Sequence, residues 1–132
     1  MLFVDSSVWI DYFNGKSTWQ TDALHSFLGR DLIVIGDLVY SEVLQGFRQE
    51  ADFDQARHLL DLLAFREMVG WDMALKSASN YRVLRKKGVT VRKTIDVIIG
   101  TFCIKNSFIL LHADRDFDAM EIHLGLSVFH KK

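Results

Sequence analysis

The sequence predicts an α/β protein, a sandwich built on a mostly parallel sheet. Short apolar runs of strand length alternate along the chain with longer segments whose apolar residues recur at helical spacing. At 132 residues the chain is sized for one domain, residues 1–132, with a single good core; 49% hydrophobic and 25% charged residues suit an ordinary folded protein.

The elements follow in order. Residues 2–4 form a buried strand. "SSVWIDYFNG" reads as a helix: Ser6 or Ser7 is its expected cap, Val8/Tyr12 and Trp9/Phe13 pair at four-residue spacing, and Gly15 ends it. A second helix is expected over 18–28 and a second strand over 32–35, closed by Gly36. Asp37 is the expected cap of a helix running through Phe47. Between 55 and 65, Ala56, Leu59, Leu60, Leu63 and Ala64 mark an amphipathic helix. Residues 67–69 read as a short strand. Trp71, Ala74, Leu75, Ala78 and Tyr81 mark another helix, ending near Gly88. Residues 94–105 are apolar nearly all round, which predicts a helix buried in the middle of the fold. A strand over 108–111, a helix over 117–124 and a strand over 126–129 complete the chain. Proline is absent, so every boundary rests on Gly, Ser, Thr, Asp and Asn alone.

Bulk properties exclude several classes. A formal net charge of −1 predicts no nucleic-acid partner from global charge, so local charge has to carry any such argument. The single cysteine, Cys103, allows no internal disulfide and fits a reducing compartment. No run approaches the ~20 apolar residues of a membrane span, and "MLFVDSSVW" lacks a basic region followed by a long apolar stretch. A cytoplasmic protein is expected.

Four acids stand where acids are costly. "LFVD" puts Asp5 directly after an apolar run, and "ILLHAD" does the same with Asp114, two residues further out. In parallel, adjacent strands both carboxylates would sit at one sheet edge, and sites in such folds form at the carboxyl ends of strands where strand order reverses. Each is equally suited to capping the next helix. Glu42 in "LVYSEVLQGF" shares the side of Leu38, Val39 and Gly46, and Asp96 in "TIDVIIGTFCI" shares a face with Ile99, Gly100 and Cys103. An unpaired buried carboxylate costs several kcal/mol, so each needs an arginine, a lysine or a cation. Both have glycine at i+4, where a side chain would partly cover the acid. Asp5, Glu42, Asp96 and Asp114 together, with oxygen ligands only, would select a hard cation, Mg²⁺ or Mn²⁺.

Asp116 and Asp118 read differently. "DRDFD" fails as a calcium loop, because Ala119 holds the sixth position and Gly125 the twelfth. Asp118 with Glu121 has capping-box spacing, and Asp116 is either a cap or a weaker ligand of a second metal. The five histidines lack zinc spacing, Cys103 reads as core, and no glycine-rich phosphate loop is present. Arg82, Arg85, Lys86, Lys87, Arg92 and Lys93 fall within twelve residues just before Asp96. They form either a solvated helix end or a phosphate-tracking rim beside the acids.

At these residues the chain resembles PIN-domain ribonucleases, most closely the VapC-type toxins of bacterial toxin–antitoxin pairs. "FVDSSVWIDYF", "SEVLQGF", "GVTVRKTIDVIIG" and "LLHADRDFD" look like that family's four signature segments, in order and with near-usual spacing, from residue 3 to about 129. The resemblance implies a three-layer α/β sandwich with helices on both sides of a parallel sheet. It implies metal-dependent RNA cleavage leaving 5′-phosphate and 3′-hydroxyl ends, and a homodimer inhibited by a cognate VapB-like antitoxin. Asp5 and Asp96 match the principal magnesium ligands, Glu42 and Asp114 the other acids of the pocket, and Asp116 a position acidic in some members. Arg85, Lys86, Lys87, Arg92 and Lys93 are the candidate RNA contacts. An antitoxin arginine could pair bidentately with the acids and displace the metal. The departures, Gly100 in place of alanine and His112 in place of a small or hydroxyl residue, leave the acid set intact.

Other readings fit less well. A haloacid-dehalogenase phosphatase needs a second aspartate two residues after the first, where Ser7 stands, and a receiver domain needs paired early acids and a late lysine. A module that only binds RNA or a partner would have no reason to keep four desolvated carboxylates.

Overall fold

The computed structural model describes residues 1–30 and 32–132. Its elements are β1 (Leu2–Val4), α1 (Ser6–Phe13), α2 (Trp19–Phe27), β2 (Ile33–Gly36), α3 (Asp37–Gln45), α4 (Glu50–Leu60), β3 (Ala64–Arg66), α5 (Trp71–Lys86), α6 (Thr94–Asn106), β4 (Ile109–Leu111) and α7 (Asp118–Leu124); a single 3₁₀ turn, Arg115–Phe117, precedes α7.

All four strands are parallel, in the order β3-β2-β1-β4. The chain builds outward from β1 through β2 to β3, then crosses back to add β4 on the other side of β1. Strand order therefore reverses between β1 and β4, where open α/β sheets leave a crevice. Phe3 pairs with Val34 on one side and Leu110 on the other. Every residue of β1 and β2 is buried, as expected of a sheet covered on both faces. α1 packs on α2 and α3, while α5 packs on α6 and α7, giving the helical layers of an α/β sandwich. Phe3, Val4, Trp9, Ile35, Ile99, Leu110, Leu111, Phe117 and Met120 fill the core with 0 to 1% exposure.

Several boundaries differ from the sequence expectation. α1 is capped by Asp5, not by Ser6 or Ser7. Asp37 occupies the first position of α3, and its Oδ1 accepts from the N–H of Leu38 at 2.8 Å and of Met68 at 3.1 Å. The helix expected over 55–65 is Glu50–Leu60, with Glu50 and Asp52 in its first turn, where acids complement the helix dipole. It stops early because Ala64–Arg66 pair in parallel with Val34–Gly36, so the third strand lies there and not at 67–69. Sheet pairing overrides a helical period that ran four residues too far. The strand expected at 126–129 reduces to one bridge, Leu110 to Val128. Asp118 makes no side-chain cap for α7, whose N-cap is Phe117.

α6 ends at Ser107, which adopts left-handed backbone (φ 56°, ψ 37°) without being glycine. That conformation lets the N–H of Phe108 donate to the Cys103 carbonyl at 2.9 Å, turning the chain directly into β4. Ser107 is exposed, so Ser107→Gly should relieve the Cβ strain without loss of packing. The expected gain is about 0.5–1 kcal/mol, read as a higher urea midpoint at unchanged m-value.

Candidate metal centre

The ends of β1 and β4 are held together backbone to backbone: the N–H of Asp5 donates to the Leu111 carbonyl at 3.0 Å. Asp5 is 3% exposed. Its Oδ2 accepts from the N–H of Ser7 at 3.2 Å and from Ser7 Oγ at 2.5 Å, while its buried Oδ1 has no hydrogen-bond partner. The cap and the site are therefore compatible readings of one carboxylate, one oxygen serving each. Ser7 Oγ also accepts from the N–H of Ala113 at 3.3 Å, so this hydroxyl bridges the two strand ends. The hydroxyl of Ser6, the other cap expected from the sequence, takes a different partner. Ser6 instead donates to Glu42 Oε1 at 2.9 Å and fixes that acid from α3, half-buried.

Asp96 lies in the first turn of α6 at 5% exposure, and its Oδ2 is buried and unpartnered. Carboxylate oxygens of Asp96, Asp114 and Asp116 lie within 4.8 Å of one another. Asp114 caps the 3₁₀ turn, its Oδ1 accepting from the N–H of Asp116 at 2.9 Å. Asp116, ambiguous in sequence, thus stands in the trio, where its buried Oδ2 lacks a hydrogen bond and lies 3.9 Å from Arg92 Nε. Asp5 borders the trio closely enough to be the largest charge effect on Asp96. Glu42 is attached to this group through the Ser6–Asp5 end of α1 and is not one of the three.

Electrostatics follow from crowding. Burial, then the like charges of Asp5 and Asp114, push the Asp96 carboxyl up to about 7 against a weaker opposing pull from Lys93. Burial also raises Asp5, although its hydrogen bonds from Ser7 oppose the shift. His112 was noted in sequence only as unusual. It lies between β4 and Asp114, packs on Phe117 with ring centroids 5.0 Å apart, and accepts the Asp114 N–H on Nδ1 at 3.1 Å. Burial lowers its pKa, so the ring is neutral and its proton sits on Nε2. No periodic signal could have revealed this second support of Asp114.

The basic run divides. Arg92 and Lys93 reach the acids; Arg92, 80% exposed, pairs with Asp116 only at the surface. Arg85 lies over the Tyr81 ring at 6.0 Å and lines an apolar groove between α5 and α6, whereas Lys86 and Lys87 are exposed at the end of α5. The glycines also do other work than expected. Gly46 is the C-cap of α3 and a Cβ there would meet only ordinary contact, at 3.6 Å. A Cβ on Gly100 would come within 2.4 Å of Met120 Sδ, so Gly100 admits α7 against α6 and does not uncover Asp96.

Residues 2–122 match the PIN-domain family. The chain belongs to it. This PIN domain is similar to the VapC ribonuclease Mb1587 of Mycobacterium bovis and to ribonuclease VapC11 of Mycobacterium tuberculosis, each 24% identical over 122 residues, 91% of either chain. Its fold is shared with FitAcB of Neisseria gonorrhoeae (TM-score 0.75, 14% identity, covering 98% of this chain and 97% of that one). It is likewise shared with VapC20 of Mycobacterium tuberculosis, a sarcin–ricin loop cleaving toxin (TM-score 0.67, 13% identity, 90% and 94% covered). The expected resemblance to VapC-type PIN domains and the three-layer sandwich are both present in this chain.

The raised Asp96 carboxyl makes a pH prediction for metal-free protein. The folded state holds a proton on Asp96 up to about pH 7, while the unfolded chain loses it near 3.8. The folded state therefore binds more protons in that window, and stability falls as pH rises through it. Asp96→Asn removes the ionisation. In EDTA it should raise Tm at pH 8 by roughly 3–8 °C and by much less at pH 5; an equal shift at both pH values would contradict the assignment.

Proposed function

We propose that this PIN domain is a Mg²⁺- or Mn²⁺-dependent endoribonuclease and the toxin of a toxin–antitoxin pair, acting in the cytoplasm as a homodimer. The observation that carries the reading is the trio of Asp96, Asp114 and Asp116 oxygens within 4.8 Å, bordered by Asp5, with buried oxygens on Asp5, Asp96 and Asp116 that accept no hydrogen bond. A donor set of carboxylates alone, without Cys or His, fits a hard divalent cation. Asp96, Asp114 and Asp116 would hold it, with Asp5 completing the set and Ser7 and His112 fixing Asp5 and Asp114. When bound, such a cation supplies acidification of a water and neutralises charge on the phosphodiester and its leaving oxygen.

The chain's own groups do the rest. Glu42, held by Ser6 outside the trio, is the carboxylate free to accept a proton from the attacking water. Asp114 would accept it only if its own place in the trio were given up. Arg92 and Lys93 offer positive charge to the RNA backbone at the edge of the acids. No covalent nucleophile is required, and Cys103, buried with its thiol pushed up by burial, is unsuited to serve as one. The antitoxin role rests on likeness: VapBC complexes from Haemophilus influenzae and Salmonella typhimurium share the fold at TM-scores of 0.73 and 0.74. A VapB-like partner that inserts an arginine would satisfy the same unpartnered oxygens that a cation would.

Purified protein should cleave single-stranded RNA with Mg²⁺ and not with EDTA. Asp5→Asn and Asp96→Asn should each lower the rate at least about a hundredfold with an unchanged circular dichroism spectrum. Wild-type turnover by folded Asp96→Asn would end the site assignment. Mg²⁺ should also raise the wild-type Tm in proportion to ln[Mg²⁺], and this rise should vanish in Asp96→Asn.

Replacing Arg92 and Lys93 by glutamine should flatten the salt dependence of RNA binding by roughly one logarithmic unit of slope per lost phosphate contact. The same change at Lys86 and Lys87 tests whether the rim extends along α5; an unaltered slope there would confine it to the α6 entrance.

A further inference from the structure

A cavity adjoins the acids. It has a volume of about 230 Å³ and shares Asp114 with the trio. That is room for about eight waters, enough for one planar heterocycle and too little for a folded segment. Four aromatic rings line it, Trp19, His112, Phe129 and His130. Trp19 and His112 are each held by a neighbouring ring. Trp19 stacks on Phe129 at 6.5 Å and 28°, and Phe129 meets Phe27 edge-on at 5.2 Å. His112 is fixed by Phe117 and by the Asp114 N–H on its Nδ1. Rings positioned this way present apolar surface without further ordering on binding, which is how proteins receive an unstacked base.

The polar lining is mixed in sign. Arg115 brings donors, Asp118 brings acceptors, and the Gln20 amide brings both. Among the described residues no ion pair joins Arg115 to Asp118, and neither side chain has a hydrogen bond within the fold, so both remain available. Asp118, expected as a cap, caps nothing; it stands in the first turn of α7, where an acid complements the helix dipole, and its side chain is exposed. Guanine matches this lining best of the four bases. Its O6 and N7 accept from an arginine fork, and its N1–H and N2–H groups donate to a carboxylate.

Resting on the nuclease reading above, we propose that this cavity is the base-specificity subsite of the enzyme. It takes one unstacked base next to the phosphodiester that a cation at the acid trio would bind, with guanine preferred. Arg115 and Asp118 are then specificity residues that touch the base edge, Trp19 is its stacking platform, and the acid trio plays no part in base choice.

The test uses short single-stranded RNAs of one length in which each position flanking the cut bond is varied through the four bases. Wild-type protein with Mg²⁺ should favour guanine at one flanking position. Arg115→Ala and Asp118→Asn should each lower kcat/KM on that substrate roughly ten- to a hundredfold and flatten the base profile. Cleavage of the least favoured substrate should change little. A profile without base preference in the wild type, or one that both variants leave intact while changing only affinity for a partner protein, overturns the proposal and leaves the nuclease reading standing.

A binding measurement separates the two failures. In a Trp71→Phe background, which removes the exposed indole, guanosine 5′-monophosphate with Mg²⁺ should quench tryptophan fluorescence saturably and more tightly than uridine 5′-monophosphate. A further Trp19→Phe change should abolish the signal. Should the wild type cut no RNA at all, the nuclease reading fails, and this quenching alone decides the subsite: selective and Trp19-dependent supports it, absent or unselective sinks it.

Discussion

The constraint on which everything else depends is mutual repulsion among carboxylates that the fold places in one dry corner. β1 pairs with β2 on one side and β4 on the other; Asp5 directly follows β1, and Asp114 is the third residue after β4. α6 then delivers Asp96 from its first turn into the same corner. Without a cation the corner relieves its charge by protonation, which is what the Asp96 carboxyl near 7 expresses. Native structure is thereby set against itself at this point. The rest of the core must supply the stability that the corner gives up, as functional sites commonly require.

The supporting groups are arranged to hold direction and not to neutralise. Ser7 and His112 bring dipoles, one through its hydroxyl and one through a neutral ring, and neither adds a full positive charge beside the acids. Arg92, the guanidinium nearest a carboxylate oxygen of Asp116 at 3.9 Å, stays mostly in solvent. A buried lysine or arginine would have been a cheaper structural answer to four acids. Its absence from the described contacts leaves the negative potential intact for whatever enters. Arg92 and Lys93, at the entrance of α6, set positive charge beside the acids, which the formal net charge of −1 conceals.

Much of this was legible in sequence for a specific reason. An acid directly after an apolar strand, or in the middle of an apolar helix, breaks binary pattern, and such breaks are visible without coordinates. Asp5, Asp96 and Asp114 were found that way, and Glu42 with them. Asp116 was not resolved, because an aspartate in a polar turn breaks no pattern. The helix over 55–65 misled for the opposite reason: its apolar period continued through Leu63 and Ala64, which are half-buried in a turn and a strand. Glycines at i+4 from two acids looked like windows onto a site, yet Gly100 answers to Met120 and Gly46 simply ends a helix.

The sequence by itself determined the class of fold, the family and the candidacy of Asp5, Asp96 and Asp114, because strand and helix periods and pattern-breaking charges are local properties of the chain. Only the tertiary structure decided which acids meet, that one oxygen of Asp5 is spent on a cap and the other is left over, that Ser7 and not Ser6 ties β1 to β4, and that Trp19 and Arg115 border one cavity. These are relations between residues up to 106 positions apart. Their distances are set by strand order and packing, and no stretch of the chain carries them alone.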